Sequence, residues 1–203
     1  MSDEERARAR WAKYYQAVAD RPPRDLYYET LGRFEKEGRP PGLAMDLGCG
    51  TGIETADLLR RGWRVLAVDQ QAEAIELTRA HVPAEYQDRL ETRVAAFDAL
   101  DFPPADFIWA GLSLPFCPPE LFPSVWSRLV SALPIGGRFA GDFFGERHVW
   151  ATRPGMTSHT VEAVRALCRP LHLEYFVEEE GERWTTREGL QHWHAISVVV
   201  RKD

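Results

Sequence analysis

A chain of 203 residues with 44% hydrophobic content is long enough for one domain with a sizeable core and too apolar for an intrinsically disordered protein. Its net charge of -6 carries no basic stripe beyond Arg6, Arg8 and Arg10, which Asp3, Glu4 and Glu5 offset, so nucleic acid is not an expected partner. No apolar run approaches a membrane span and the charged start is unlike a secretory signal, while Cys49, Cys117 and Cys168 stand far apart without a CxxC pair; the expectation is a cytoplasmic protein without disulfides or membrane contact.

Residues 1–36 read as a helical cap. Ala7, Trp11, Tyr14, Tyr15 and Val18 fall at helical spacing and form one apolar face. Pro22-Pro23 breaks that helix, and Tyr27, Leu31 and Phe34 predict a second short one. Residues 37–42 are a linker rich in Gly and Pro. From Leu43 on, strand-like runs (43–47, 64–69, 90–96, 105–110, 137–144, 171–179, 192–201) alternate with helix-like runs (53–61, 71–81, 119–133 and about 160–168). Pro118-Pro119 opens the third helical run, and Thr160 is placed to cap the fourth. Alternation of this kind predicts a parallel sheet with helices on both faces. The segment from Gly181 to Gly189 is too short for a crossover helix, so the last two strands form an antiparallel hairpin at one edge.

The densest information lies in Asp46-Leu47-Gly48-Cys49-Gly50-Thr51-Gly52, between the first strand and the first core helix. Glycines on such a turn let the backbone approach a ligand, and the next helix offers free N–H groups. Asp69 closes the second strand, where a carboxylate suits a ribose diol. The two features together predict a nucleoside-containing cofactor. A dinucleotide fingerprint would need a third glycine at Ile53, and no Gly-Lys-Ser/Thr follows for a phosphate loop.

The stretch resembles motif I of class I S-adenosylmethionine-dependent methyltransferases, Asp-Leu-Gly-x-Gly-x-Gly, without a departure. That resemblance covers about residues 40–202. It implies a single domain over 1–203, with an α/β, Rossmann-like, doubly wound, seven-stranded and mostly parallel sheet, the edge hairpin and the N-terminal helical cap. Leu133-Pro134-Ile135-Gly136-Gly137 departs from the family's usual L-x-P-G-G by Ile135, with the turn glycines kept. S-adenosylmethionine is the cofactor it implies, bound by Asp46, Gly48, Cys49, Gly50, Gly52, Asp69, Gln70 and Ala110, with Asp98 toward the adenine amino group and Phe97 against the ring. After the fourth strand, Ala110-Gly111-Leu112-Ser113 replaces the Asn/Asp-Pro-Pro-Tyr/Phe of base methylators, which also argues against nucleic acid. Trp11-x-x-Tyr14-Tyr15, Arg21-Pro22-Pro23-Arg24, Leu114-Pro115-Phe116-Cys117-Pro118-Pro119 and His192-Trp193-His194 are similar to small bacterial methyltransferases of the tellurite-resistance type. In that group the first helix closes the pocket, so Trp11 and Tyr15 are expected at cofactor or acceptor.

His192, His194 and Asp142 are the candidate catalytic groups, the two histidines because residues two apart on a strand share a face. With Cys117 or His159 they would make half a metal site, but no tight second ligand pair is visible and no metal is expected. The expected reaction is methyl transfer to a small-molecule acceptor; a soft one, such as a thiol or chalcogen nucleophile, would need no base. A non-catalytic sensor of S-adenosylmethionine or its product would carry the same motif, and a nicotinamide oxidoreductase is the third reading. Monomer and homodimer both fit.

Overall fold

The computed structural model describes residues 3–185 and 189–203, with residues 3–10 as backbone only. Two helices form the cap, α1 (Asp3–Val18) and α2 (Asp25–Lys36), and Pro22-Pro23 lies between them. Of the expected stripe on α1, Ala7 lies outside the described side chains, as do the flanking Arg6, Arg8 and Arg10. On α2, Tyr27, Leu31 and Phe34 are buried at helical spacing.

The core then runs β1 (Leu43–Leu47), α3 (Ile53–Arg60), β2 (Arg64–Asp69), α4 (Ala72–His81), β3 (Leu90–Val94), β4 (Phe107–Ala110), α5 (Phe122–Ala132), β5 (Arg138–Gly145), β6 (Ser158–His159), α6 (Val161–Cys168), β7 (His172–Thr185) and β8 (Gly189–Arg201). The strand order is β3-β2-β1-β4-β5-β8-β7, and the first five strands are parallel. β8 is antiparallel to both neighbours, so β7 and β8 form the edge hairpin. Seven strands make the continuous sheet; the two-residue β6 pairs with the end of β5 off that path.

Strand alternation divides the apolar residues into two cores. Met45, Leu66, Ile108 and Phe139 face α5 and α6. Their neighbours Ala44, Val65, Phe107 and Ala140 face α2, α3 and α4. Near-continuous apolar runs are the signature of strands covered on both sides, and β4 and β5 are buried throughout.

Several boundaries differ from expectation. α5 starts at Phe122, not at 119, because the Pro118 carbonyl closes a turn on the N–H groups of Leu121 and Phe122; Pro123 occupies the helix's first turn. The third strand stops at Val94, where its partner β2 ends at Asp69. β7 and β8 extend well past 179 and before 192, pairing as far as Thr185 with Gly189; residues 186–188 of the expected connection lie outside the described residues. Thr160 does cap α6, its Oγ1 accepting from the Ala163 N–H at 3.1 Å. Ile135 is solvent-exposed in a turn closed by Gly137 N–H to the Pro134 carbonyl at 2.8 Å, with Gly136 left-handed, so its departure from the family pattern leaves the turn intact.

Candidate active site

The C-terminal ends of β1 to β4 meet the cap around a cavity of about 510 Å³. Its floor is the glycine loop. Gly48 and Gly50 have φ of 77° and 56°. A Cβ on Gly48 would sit 2.5 Å from the Cβ of Ser113, in the loop after β4. A Cβ on Gly50 would meet only Tyr15 Cε1, at 3.8 Å, so the space above Gly50 is the cavity itself. The loop is pinned from below by the Val68 carbonyl, which accepts from Gly48 and Cys49 N–H at 2.7 and 3.0 Å.

Asp69 stands on the wall at the end of β2. Its Oδ2 accepts from Gly50 N–H (3.1 Å) and its Oδ1 from Gln71 N–H (2.9 Å). Burial raises its pKa, and these backbone donors oppose the rise. Each carboxylate oxygen keeps a lone pair for a further donor. Gln70, Phe97 and Asp98 continue the same wall. Opposite, Trp11 and Tyr15 of α1 stack at 5.9 Å, and Trp11 meets Phe116 at 5.2 Å. Arg21, just after α1, forks onto the buried Glu54 of α3 at 2.6 and 2.8 Å, clipping the cap to the helix that follows the glycine loop.

Four expected cofactor residues stand behind the wall. Asp46 is buried and accepts from Thr55 Oγ1 at 2.6 Å. Burial, then the neighbouring Glu54 carboxylate, pushes its pKa up to about 7. Cys49 accepts from Thr78 Oγ1 at 3.3 Å, its thiol held well above the usual range by burial. Gly52, at φ 80°, packs against Thr78 at the start of α3. Ala110 is core, and Gly111 after it reaches the cavity. These residues shape the loop from beneath.

The three candidate catalytic groups are not on the cavity wall. His192 and His194 do share a face of β8, but it is the other face: His192 binds Glu180 at 3.1 Å, and His194 binds Glu178 at 3.0 Å while accepting from Arg147 N–H at 3.2 Å. Trp193 between them lines the cavity. Asp142 is buried away from the cavity with both carboxylate oxygens engaged, accepting from Leu112 N–H at 3.0 Å and Ser197 Oγ at 2.6 Å. Leu112 is the one described non-glycine residue with a left-handed φ, 53°, so Asp142 holds a strained turn in the cavity wall. His159 packs on Phe122 and Phe143, and Cys117, a cavity residue, has its thiol pushed up to about 11 by burial. Neither joins the histidines. Among the described residues, Glu178, Glu180 and His194 do converge, but Arg147 is bonded to both carboxylates.

Sequence reasoning passed over Arg24, Ser113, Phe144, Trp150, Trp184 and Trp193 on the wall. For Trp193 half the signal existed: alternation sends it to the face opposite the two histidines, without saying which face meets the cavity.

A methyltransferase domain family matches residues 44–137. A carboxy-S-adenosyl-L-methionine synthase from Pseudomonas putida is 34% identical over 86% of this chain and 69% of its own length. The chain belongs to the class I S-adenosylmethionine-dependent methyltransferase family. A magnesium-protoporphyrin O-methyltransferase from Rhodobacter capsulatus is 40% identical over 25% of the chain and 22% of its own length. Two solved structures share the fold at low identity. TehB from Haemophilus influenzae has a TM-score of 0.71 at 15% identity, covering 86% of this chain and 62% of its own. N-methyltransferase NodS from Bradyrhizobium japonicum, in complex with S-adenosyl-l-homocysteine, has a TM-score of 0.66 at 16% identity over 90% and 89%. The family's cofactor is S-adenosylmethionine. The cavity fits it on its own terms, with a glycine whose missing Cβ leaves open space, a carboxylate at a strand end and a flat aromatic wall. Among the described residues no helix is long and apolar enough to cross a membrane.

Proposed function

We propose that the cavity binds S-adenosylmethionine along Gly48, Gly50, Asp69, Gln70, Phe97 and Asp98, and that a small acceptor enclosed by α1 and the loop after β4 takes the methyl group. Asp46, Cys49 and Gly52 fix the loop, and Trp11 and Tyr15 close it. The cap and core act as one domain. The cofactor supplies a methyl already activated on sulfonium. The protein's part is to hold the nucleophile in line with it and exclude water, and proximity of this kind is worth roughly 7–11 kcal/mol in favourable cases.

One observation carries the acceptor class. Among the described residues, no His, Glu or Lys lines the cavity, and its two aspartates stand at the nucleoside end. A group that must lose a proton during transfer finds no obvious base there. An acceptor that arrives already nucleophilic, such as a thiolate or reduced chalcogen, fits best. An enclosed aromatic pocket in a chain of net charge -6 favours a small molecule over nucleic acid, and three unpaired, buried cysteines suit a reducing cytoplasm. The test is transfer of isotope-labelled methyl to a panel of thiols, selenium and tellurium oxyanions with thiol reductant, phenols, amines and carboxylic acids, with volatile products collected. Label in the thiol or chalcogen class is the expected result. Label in amines or phenols alone would refute the acceptor class, and no label with cofactor bound would return the sensor reading.

A second reading is that the chain handles carboxy-S-adenosyl-L-methionine, the product named in its relative from Pseudomonas putida. Arg24 on the wall gives an added carboxylate a cationic partner. Mass spectrometry of the ligand extracted from purified protein separates the two, since the carboxylated cofactor is heavier.

A further inference from the structure

The turn after β4 is pinned at three successive residues. Leu112, which lines the cavity, is left-handed, a conformation that is unfavourable for a residue with a side chain and persists where its surroundings fix it. The fixing group is Asp142 of β5: its Oδ2 accepts from Leu112 N–H, and its Oδ1 accepts from Ser197 Oγ, the cross-strand neighbour on β8. A Cβ on Gly111 would collide with the Trp109 ring, so the chain passes there only without a side chain. Ser113 Oγ donates to the carbonyl of Leu47, the residue that precedes the glycine loop.

This turn joins two regions that methyl transfer must hold in register. The Leu112 side chain packs with Phe116 against Phe144, Trp150 and Trp193, the aromatic corner of the cavity. Asp69 and Asp98, at the nucleoside end, stand on β2 and after β3. Through Ser113 the same turn is fastened to the strand that leads into the glycine loop. In-line displacement tolerates little error between nucleophile and methyl carbon. A Leu112 released to an ordinary φ would carry its side chain off the aromatic corner. Asp142 itself lies behind the wall with both oxygens engaged, so it touches no reacting atom.

We propose that Asp142 is a positioning residue for methyl transfer: by holding Leu112 in its left-handed turn, it sets the aromatic acceptor corner in line with the cofactor on the glycine loop. The inference rests on methyl transfer taking place in this cavity, as set out under Proposed function. It does not depend on which atom is methylated, and it gives Asp142 no part in proton transfer.

The experiment is a double-mutant cycle on the full chain, read as kcat and KM for transfer of labelled methyl from S-adenosylmethionine to phenylmethanethiol. Asp142→Ala should lose about 10-fold or more in kcat/KM, but less than about 3-fold in a Leu112→Gly background, where glycine takes the same φ without strain. Asp142→Asn keeps an oxygen for Leu112 N–H and an amide for Ser197 Oγ, so it should stay within about 3-fold of wild type, with the same pH profile. S-adenosylhomocysteine affinity of Asp142→Ala should also stay within about 3-fold, because Ser113 still ties the turn to the glycine loop. If Asp142→Ala does not fold, Leu112→Val reads the turn from the cavity side. Its β-branching opposes a left-handed φ, so it should lose more kcat/KM than Leu112→Gly, although it removes less of the side chain. Equal losses from Asp142→Ala in the two backgrounds would mean a merely structural role, and an Asp142→Asn as slow as Asp142→Ala would mean a base. Either result, a fully active Asp142→Ala, or Leu112→Gly slower than Leu112→Val would overturn the proposal. Transfer to another acceptor class of the panel alone would remove the thiol class and leave the cycle to be run on that class. A chain that methylates nothing would overturn both.

Discussion

Asp46 is the fourth residue of β1 and Asp69 the last residue of the neighbouring β2, yet only Asp69 reaches the cavity. Asp46 is held under the loop with its pKa pushed from 3.8 up to about 7. The native state keeps a proton there that the unfolded chain releases above pH 3.8, so this group's contribution to stability falls as pH rises from there through about 7 and then levels. Asp46→Asn removes the titration. Its melting temperature relative to wild type, measured without cofactor, should climb across that window and flatten above it; a difference independent of pH would contradict the assignment. The glycines separate in the same way. Gly48→Ala drives a Cβ to within 2.5 Å of Ser113 and strains a left-handed residue, so it should destabilise the fold by about 1–3 kcal/mol in urea unfolding. Gly50→Leu carries the same left-handed strain but meets little protein, so it should destabilise less than Gly48→Ala while costing more in cofactor affinity. Strand ends made Asp69, Phe97 and Asp98 legible in the sequence, because an open α/β sheet binds at those ends. The face on which His192 and His194 sit was not legible, because alternation says that they agree but not which way they point.

At the scale of elements, the cap is attached by a side-chain clip as well as by packing. Arg21 holds Glu54 in two hydrogen bonds, and Glu54 has almost no solvent to fall back on. Arg21→Ala should release α1, seen as faster amide exchange across residues 11–18, and weaken cofactor binding with it. Unchanged exchange would mean that aromatic packing alone seats the helix. The cap helices were readable from Trp11, Tyr15, Tyr27 and Phe34 at helical spacing. The length of the hairpin was not. Glu180-Gly181-Glu182, past the expected strand end at 179, looks like solvated loop until Arg147 and His192 supply the opposite ends of the Glu180 hydrogen bonds. Arg147 is far from that run in sequence, so local pattern carries no trace of it. The same cross-strand pairing holds the Glu180 carboxyl down at about 2, chiefly through Arg147.

Across the whole molecule, one buried cation joins cap, sheet centre and edge. Arg138 on β5 is 0% exposed, pairs with Glu37 just past α2 and with Glu174 on β7 at 2.7 Å, and lies 4.8 Å from the Phe34 ring centroid. Removing one partner of a buried pair strands the others, so Arg138→Ala should lower stability by about 3–5 kcal/mol in denaturant unfolding, with cofactor affinity of the folded fraction kept. A loss below about 1 kcal/mol would show the network to be solvated. Around that tie, two cores hold the strand ends rigid, and the glycine loop, Asp69 and the cap aromatics face one another across the cavity. The central claim is that this cavity, and not the histidine face of β8, is the S-adenosylmethionine site. The most direct measurement is calorimetric titration of S-adenosylhomocysteine into wild type, Asp69→Ala and His194→Ala. The account predicts a loss of about 10-fold or more for Asp69→Ala, from lost charge-assisted hydrogen bonds, and near wild-type affinity for His194→Ala. Wild-type affinity in Asp69→Ala, or a loss confined to His194→Ala, would contradict it.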